Sequence, residues 1–505
     1  MTLETLSARH ARYRRNDTAL VFAGRRLRHA ELDERANRAA NALAGLGLRR
    51  GDRVGLLLDN SIELVELYVA AMKTGIVVVP LSPLLRAEGL LNLLLDAGVS
   101  ALVTMNRLEP EVDAIRPRLG LADERVLVAE SSYRAATSAV SPQPPPAPGL
   151  SGDDPYDIVY SSGTTGEPKG IVHTHAIREA YGTGFAAAFR VHPESVALHA
   201  GSLVFNGAFL TLMPALYLGC TYVLMPAFEP SSMLAALAAE RVTHVMMVPS
   251  QIVALLQHDD FDEAHLPSLE MVGSVGAPLL LEHKQELMRR LPGRFYELYG
   301  VTEGFVTVLD RDDAARKTAS VGVPPPFYEL RIVGADGVEL SPGEVGEIVG
   351  RGPTTMPGYH ARPDLTAQTL VDGWVHSGDL GYVDEDGFLH LVDRKKDLVI
   401  SGGVNVFPRD IEEVAIRHPD VLDVAVFGVP DDRWGESPVA AVRLRPGAAT
   451  GAGELRDWIN ERVQARYQRV REVAVREEFP LSVSGKTLRR VIRDEYLGDA
   501  IRYAP

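Results

Sequence analysis

The chain has 505 residues, enough for roughly three domains at about 150 residues each. Its 52 Lys and Arg against 67 Asp and Glu leave a net charge of −15, which excludes a protein that wraps nucleic acid but leaves room for one local phosphate cradle. With 46% hydrophobic and 24% charged residues the composition is that of a globular protein.

The start, MTLETLSARHARYRR, is amphipathic and has no uninterrupted apolar core. The longest apolar stretches, ALVTM and FLTLMPALYLG, are too short or too interrupted to span a bilayer, so a cytoplasmic location is expected. The single cysteine, Cys220 in YLGCTYVL, cannot form an internal disulfide and reads as a small buried hydrophobe.

The first predicted elements lie in GDRVGLLLDNSIELVELYVAAMKTGIVVVPLSP. Val54 to Leu58 reads as a strand, Asn60 and Ser61 as cap residues, and Leu64, Leu67 and Ala71 as the apolar face of a helix. A second apolar run, Ile76 to Val79, completes strand–helix–strand, the spacing of a parallel layered unit. Residues 134–155, rich in Pro, Ser and Gly, read as an exposed connection leading into YDIVY. The α/β alternation resumes to about residue 330. From 330 to 395 short alternating runs separated by Gly and Asp predict strands and hairpins. The remaining residues mix helix signals (PRDIEEVAIRHP, ELRDWINERVQARY) with strand signals (VLDVAVFGV, PVAAVRL, VREVAVREEF). No internal repeat is visible.

Five segments could carry chemistry. In YSSGTTGEPKG, Tyr160 to Gly170, three glycines permit tight backbone geometry, four Ser or Thr offer hydroxyls, and Lys169 adds a mobile charge. The pattern differs from GxxxxGK[ST], because Gly170 follows Lys169; a polar surface turn is the plain alternative. His173 and His175, just beyond, read as polar residues at a helix start. In ELYGVTEG, Tyr299 offers an aromatic face, Thr302 a hydroxyl and Glu303 a carboxylate, which beside phosphates is intelligible as a magnesium ligand. In GWVHSGDLGYVDEDG, Asp379 can accept two hydrogen bonds from vicinal hydroxyls, or merely bond its own turn. Asp384, Glu385 and Asp386 read as a solvated hairpin tip rather than a metal site. In VDRKKDLVISGGVNVFP, Arg394 can reach a phosphate or ribose, and Gly402-Gly403 lets a narrow channel pass the backbone; alone the segment reads as a solvated linker. In PLSVSGKTLRR, Lys486 follows a flexible Ser484-Gly485 pair and could swing into another domain's site, or be a surface lysine.

Together, in this order, YSSGTTGEPKG, YGVTE, SGDLGY, DRKKDLVISGG and SGKTLRR resemble the adenylate-forming superfamily of acyl-CoA synthetases, aryl-acid ligases and stand-alone adenylation domains, over nearly the whole chain. The resemblance implies an α/β fold: two α/β layered subdomains plus a distorted β-barrel in a large N-terminal portion (1–395), and a small mobile C-terminal α+β cap (396–505). It implies an ATP-dependent ligase that activates a carboxylic acid as an acyl-adenylate with release of pyrophosphate. The thioester of coenzyme A then forms with release of AMP, Mg²⁺ assisting. Position by position it implies that Ser161, Ser162, Gly163, Thr164, Thr165, Gly166 and Lys169 enclose phosphates. Tyr299 would meet adenine beside Gly276, Ala277 and Pro278, Thr302 would touch the α-phosphate, and Glu303 would hold Mg²⁺. Asp379 and Arg394 would bind ribose, Lys486 would bridge carboxylate and α-phosphate, Lys396 would be the hinge, and Gly402 and Gly403 would line a pantetheine tunnel. Phe205, Asn206, Val275 and Gly300 would border the acid.

Three departures stand out. An aromatic-His-x-x-Gly segment is common in the family, but here the text is SLVFNGAFLTLMP, with Phe205 or Val204 in its place. Val275 in SVGAP replaces a small residue, and Tyr467-Gln468-Arg469-Val470 replaces a tyrosine-lysine-x-proline pattern. The apolar text FNGAF, GSVGAP and GFVTV offers no partner for a substrate ammonium, so a hydrophobic acid, aromatic or short-to-medium aliphatic, is expected rather than an amino acid. Loading of a carrier-protein phosphopantetheine is the alternative to free CoA, and a nucleotide-binding module without turnover is the third reading.

Overall fold

A computed structural model describes residues 3–161, 169–394, 397–401, 404–481 and 487–498. Its large portion holds two sheets with helices between and outside them. The eight-stranded sheet runs, edge to edge, Val306–Leu309, Phe295–Gly300, Met271–Val275, His244–Met247, Val196–His199, Thr221–Leu224, Thr18–Phe22 and Arg25–Arg28. The six strands between its two antiparallel edges are parallel. The six-stranded sheet runs Val126–Val128, Ala101–Thr104, Arg53–Leu57, Val77–Leu81, Pro155–Ser161 and Lys169–Thr174, parallel except for the last hairpin.

Helices His29–Gly45, Ile62–Thr74, His175–Ala188 and Phe209–Leu218 share one core with the facing sides of both sheets. The opposite sides are covered by helices such as Leu281–Arg290 on one sheet and Ala87–Ala97 on the other. Buried on both faces, the parallel strands read as continuous apolar runs.

The strand–helix–strand expectation at 53–81 holds, with a parallel Arg53–Leu57/Val77–Leu81 pair. Ser61 caps the intervening helix through Oγ, which accepts the Leu64 N–H at 3.2 Å, and Gly75 ends it at φ 69°. Asn60 does something else. Its amide donates to the Gly201 and Met225 carbonyls at 2.7 and 2.8 Å and accepts the Leu203 N–H at 2.8 Å, which ties the layers together. The 134–155 connection begins with a short helix, Arg134–Ser138, and is then fastened to helix His29–Gly45. Arg38 and Asn37 donate to the Val140 and Pro142 carbonyls at 2.7 and 3.0 Å.

Residues 329–394 form a five-stranded antiparallel half-barrel. Asp384 closes its last hairpin in an Asx-type turn, and it is anchored rather than merely solvated: Lys317 Nζ lies 2.7 Å from its Oδ2 and His390 Nε2 3.1 Å. The C-terminal sheet, Val404–Val406, Val399–Ser401, Gly435–Leu444 and Val421–Asp431 with Glu472–Val475 beside Gly435–Leu444, is packed by helices Pro408–Ala415, Ala452–Arg462 and Arg489–Tyr496. Strand Leu389–Arg394 belongs to the half-barrel and Val399–Ser401 to the C-terminal sheet. Among the described residues no helix is long and apolar enough to cross a membrane. Cys220 is buried, its Sγ donating to the His192 carbonyl at 3.1 Å, and burial pushes its thiol pKa up to about 12.

Candidate active site

The carboxyl ends of the parallel strands in the eight-stranded sheet release their loops on one side, where open α/β sheets characteristically bind ligands. Strand Met271–Val275 pairs with Phe295–Gly300, Val275 standing opposite Leu298, so Gly276-Ala277-Pro278 leave the sheet beside Tyr299 and Gly300. A Cβ on Gly300 would lie 2.6 Å from the Phe305 carbonyl oxygen, so the turn admits no side chain there.

The strands that flank the centre of YSSGTTGEPKG, Pro155–Ser161 and Lys169–Thr174, pair antiparallel, with Ser161 opposite Lys169. Ser162, Gly163, Thr164, Thr165 and Gly166, and the side chain of Ser161, lie outside the described residues. A strap from Met356 to His360 is laid along the returning strand. His360 N donates to the Gly170 carbonyl at 2.7 Å and Val172 N to that of Gly358 at 3.3 Å. The same strap holds the VTEG loop: Met356 N donates to the Glu303 carbonyl at 2.9 Å, and the Tyr359 hydroxyl to Glu303 Oε1 at 2.8 Å. Lys169 Nζ sits 5.7 Å from the Tyr359 ring centroid, in cation–π range. Tyr359 thus joins two motifs, and sequence reasoning missed it. Its pKa is raised, first by burial and then by the Glu303 carboxylate, so the phenol remains a donor. Gly304, at φ 138°, lies so close to the strap that a Cβ would stand 2.2 Å from Thr355 Cα.

A second cluster joins Tyr299, Asp379 and Arg394. Asp379 and Arg394 are direct partners on strands Trp374–Val383 and Leu389–Arg394. The Tyr299 hydroxyl donates to Asp379 Oδ2 at 2.9 Å, and Arg394 Nε is 3.3 Å from Oδ1. Burial, then the Asp379 charge, pushes the Tyr299 pKa well above the ordinary tyrosine value.

Of the expected acid-side residues, Phe205 and Val275 are half-buried and pack against the central core, while Val204 is fully interior. Asn206 is fixed by both ends of its amide: Oδ1 accepts from Arg178 Nη1 at 2.9 Å and Nδ2 donates to the Tyr181 hydroxyl at 2.8 Å. Arg178 belongs to a fully buried cluster with Asp157 and His173. Asp157 Oδ2 takes the guanidinium (Nε at 2.8 Å, Nη2 at 2.6 Å), and Oδ1 lies 2.9 Å from His173 Nδ1. Burial alone would raise the Asp157 pKa, but Arg178 and His173 outweigh it and hold the carboxyl below its ordinary value. His173 is therefore an interior residue, not a polar helix start, and its Nε2 lies 3.0 Å from the Thr302 carbonyl. A local signal existed: Asp157 interrupts the apolar strand YDIVY. Arg178 carried none.

Lys396, Gly402, Gly403 and Lys486 lie outside the described residues. Their neighbours are ordered by pairing. Leu481 bridges Thr487, and Arg489 pairs with Glu412 at 2.7 Å, Asp393 at 3.5 Å and Asp397 at 3.6 Å. No group of three or more His, Cys, Asp or Glu suited to a metal occurs among the described residues. Glu303 supplies one carboxylate, which suits Mg²⁺ because that ion takes one or two protein carboxylates and is otherwise held by substrate phosphates and water.

Layered sheets, a half-barrel and a small C-terminal α+β unit, with the hairpin strand Lys169–Thr174 strapped to the loop that carries Glu303, define an adenylate-forming enzyme. Residues 7–360 match the family model described as AMP-binding enzyme, and residues 410–486 that of the AMP-binding enzyme C-terminal domain. The chain belongs to this family. A feruloyl-CoA synthase from Amycolatopsis sp. is 37% identical over 497 residues, covering 97% of this chain and 98% of that protein. A fatty acid–[acyl-carrier-protein] ligase, ScoC, from Streptomyces coeruleorubidus is 32% identical over 516 residues, covering 99% and 98%. Among solved structures, ATP-bound MatB from Rhodopseudomonas palustris superposes with a TM-score of 0.90 at 29% identity, over 99% of this chain and 100% of that one. The apo form of the same protein gives 0.80.

Proposed function

We propose that this chain is an acid–thiol ligase that activates a hydrophobic carboxylic acid with ATP and transfers the acyl group to coenzyme A, releasing pyrophosphate and then AMP. The observation that carries the reading is the convergence of Lys169, Tyr359 and Glu303 on one side and Tyr299, Asp379 and Arg394 on the other. The first step brings a carboxylate against a polyphosphate, so fixed positive charge and oriented donors should provide much of the stabilisation. In this reading Lys169 and the loop from Ser161 to Gly166 neutralise phosphates, Thr302 meets the α-phosphate and Glu303 holds Mg²⁺. Tyr299 faces adenine beside Gly276-Ala277-Pro278, and Asp379 with Arg394 takes the ribose hydroxyls. Lys486 brings the acid carboxylate and α-phosphorus together. The chain divides at 395/396, with Lys396 as the pivot that lets the C-terminal unit present the Gly402-Gly403 strand to the thiol in the second step. Residence in the cytoplasm is part of the same reading.

An acid site walled by Phe205, Val275, Gly300 and Asn206 suits an aromatic or short-to-medium aliphatic acid, and the 37% identity to a feruloyl-CoA synthase favours the aromatic class. One observation favours a second acceptor: a relative that is an acyl-carrier-protein ligase matches 99% of this chain. Acid-dependent pyrophosphate release across an acid panel, followed by product analysis with CoA against holo carrier protein, separates the two. Within that assay Lys486→Ala should nearly abolish adenylate formation, by about 3–4 kcal/mol of transition-state stabilisation, yet leave thiolysis of supplied acyl-adenylate largely intact. Unimpaired adenylation by this variant would remove the assignment of Lys486.

A further inference from the structure

Asp157, His173 and Arg178 are each 0% exposed, and no role proposed so far uses them. A buried ion pair is weak evidence of stabilisation, because desolvation offsets most of the attraction. Its placement here points elsewhere. Asp157 and His173 stand opposite each other on the two strands of the hairpin, and Arg178 lies in the helix that follows. From Asp157 two arms diverge. His173 Nε2 lies 3.0 Å from the Thr302 carbonyl, which can only accept, so a hydrogen on that nitrogen fixes the backbone beside Glu303, while Nδ1 lies 2.9 Å from Asp157 Oδ1 and 3.1 Å from Arg178 Nη2. Arg178 spans Asp157 and Asn206 with one planar fork, its guanidinium carbon 3.9 Å from the Phe209 ring centroid and 4.8 Å from that of Tyr181. Asn206 in turn holds the Tyr181 hydroxyl.

We propose that Asp157, His173 and Arg178 form a buried positioning unit that holds the acid wall and the nucleotide loop in register, Arg178 acting on the acid side through Asn206 and His173 on the nucleotide side through Thr302. This rests on the function proposed above. A lysine cannot replace Arg178, because a compact ammonium does not present the fork that reaches Asp157 and Asn206 together.

The test measures acid-dependent pyrophosphate release, with separate KM values for acid and ATP, and thermal unfolding of each variant. Arg178→Lys should raise the acid KM about tenfold, the scale of one hydrogen bond to a charged group, with the ATP KM within about twofold. His173→Asn, which keeps a polar group near the Nδ1 position only, should raise the ATP KM. His173→Gln, which can place an amide N–H near the Nε2 position, should recover most of it. Asp157→Asn should move both constants. Asn206→Ala should reproduce the acid effect and add little in an Arg178→Lys background, which keeps the proposal testable if an Asp157 variant does not fold. Equal changes in both constants for Arg178→Lys or His173→Asn, additive Asn206 and Arg178 effects, or a fall in Tm with unchanged constants would each overturn the positioning role. A wild-type protein that releases no pyrophosphate with any acid would instead refute the underlying function, and this inference with it.

Discussion

Replacing Tyr359 by Phe removes one oxygen and keeps the ring beneath Lys169. The lost hydroxyl donates to Glu303 Oε1 at 2.8 Å, with Thr369 Oγ1 a more distant neighbour at 3.5 Å. Tyr359 is 6% exposed, so water does not take the place of the phenol from its own side. A hydrogen bond to an ionised acceptor is worth about 1.5–3 kcal/mol. Glu303 is only half-buried and regains some solvation, so the lower end, about 1.5 kcal/mol or roughly 12-fold, is the appropriate figure. The structural cost should be smaller, because the strap remains fixed by the Gly170 and Glu303 backbone bonds.

The assay is acid-dependent pyrophosphate release as a function of Mg²⁺, paired with the rise in Tm that Mg²⁺ and ATP produce. Tyr359→Phe should lower the rate about tenfold at limiting Mg²⁺, raise the Mg²⁺ needed for half-saturation, and reduce the ligand-induced Tm shift. Rate and Mg²⁺ dependence within about twofold of wild type would show that Tyr359 does not orient a metal-binding Glu303.

Lys284, wholly buried, forms an ion pair with buried Glu297 on strand Phe295–Gly300, which also carries Tyr299; Lys284→Met should cost about 3–5 kcal/mol in denaturant unfolding, and adding Glu297→Gln should recover part of it. Burial lowers the His199 pKa from 6.5 to about 4, so its contribution to stability is fully present above pH 6.5 and is lost as pH falls toward 4. Between pH 7.5 and 5.5 the wild type should therefore lose about 1.3 kcal/mol more than His199→Gln; parallel pH profiles would exclude His199 as a source of acid lability. Val275→Gly should admit bulkier acids, and an unchanged acid profile in the pyrophosphate assay would remove Val275 from the pocket wall.

The sequence was most legible where one local rule acts alone. Ser61 and Gly75 bracket a helix, and the apolar runs on either side become parallel strands. Asn60 looked like a second cap because cap residues and tertiary staples share the same short amide; only the fold places the Gly201, Leu203 and Met225 backbones beside it. Tyr359 was illegible for a related reason. Its segment, TTMPGYH, carries no charge pattern, and its importance comes from a non-local pairing of residues 170–172 with 358–360. Asp157 did leave a mark, as a charge inside an apolar strand, but the sequence could not say that His173 and Arg178 would neutralise it. The motif residues Tyr299 and Glu303 were easier, because they sit at a strand end and in the loop after it, whereas Asp379, expected in a turn, lies inside strand Trp374–Val383 opposite Arg394.

How the C-terminal unit meets the large portion bears on the proposed two-step reaction. The described hydrogen bonds and ion pairs between them are few. Glu413 accepts the Leu281 N–H at 3.2 Å, Arg409 donates to the Leu391 carbonyl at 3.0 Å and, through its backbone, to Asp393 at 3.2 Å, and Arg489 reaches Asp393. Helix Leu281–Arg290 has no side-chain cap of its own, so Glu413 fills that role from the other unit. Caps of this kind are worth about 0.5–2 kcal/mol, enough to bias an orientation and too little to lock it. The capped helix begins three residues after Gly276-Ala277-Pro278. If a nucleotide orders that turn, as the proposed function has it, it should also order the N–H that Glu413 accepts, and the C-terminal unit with it.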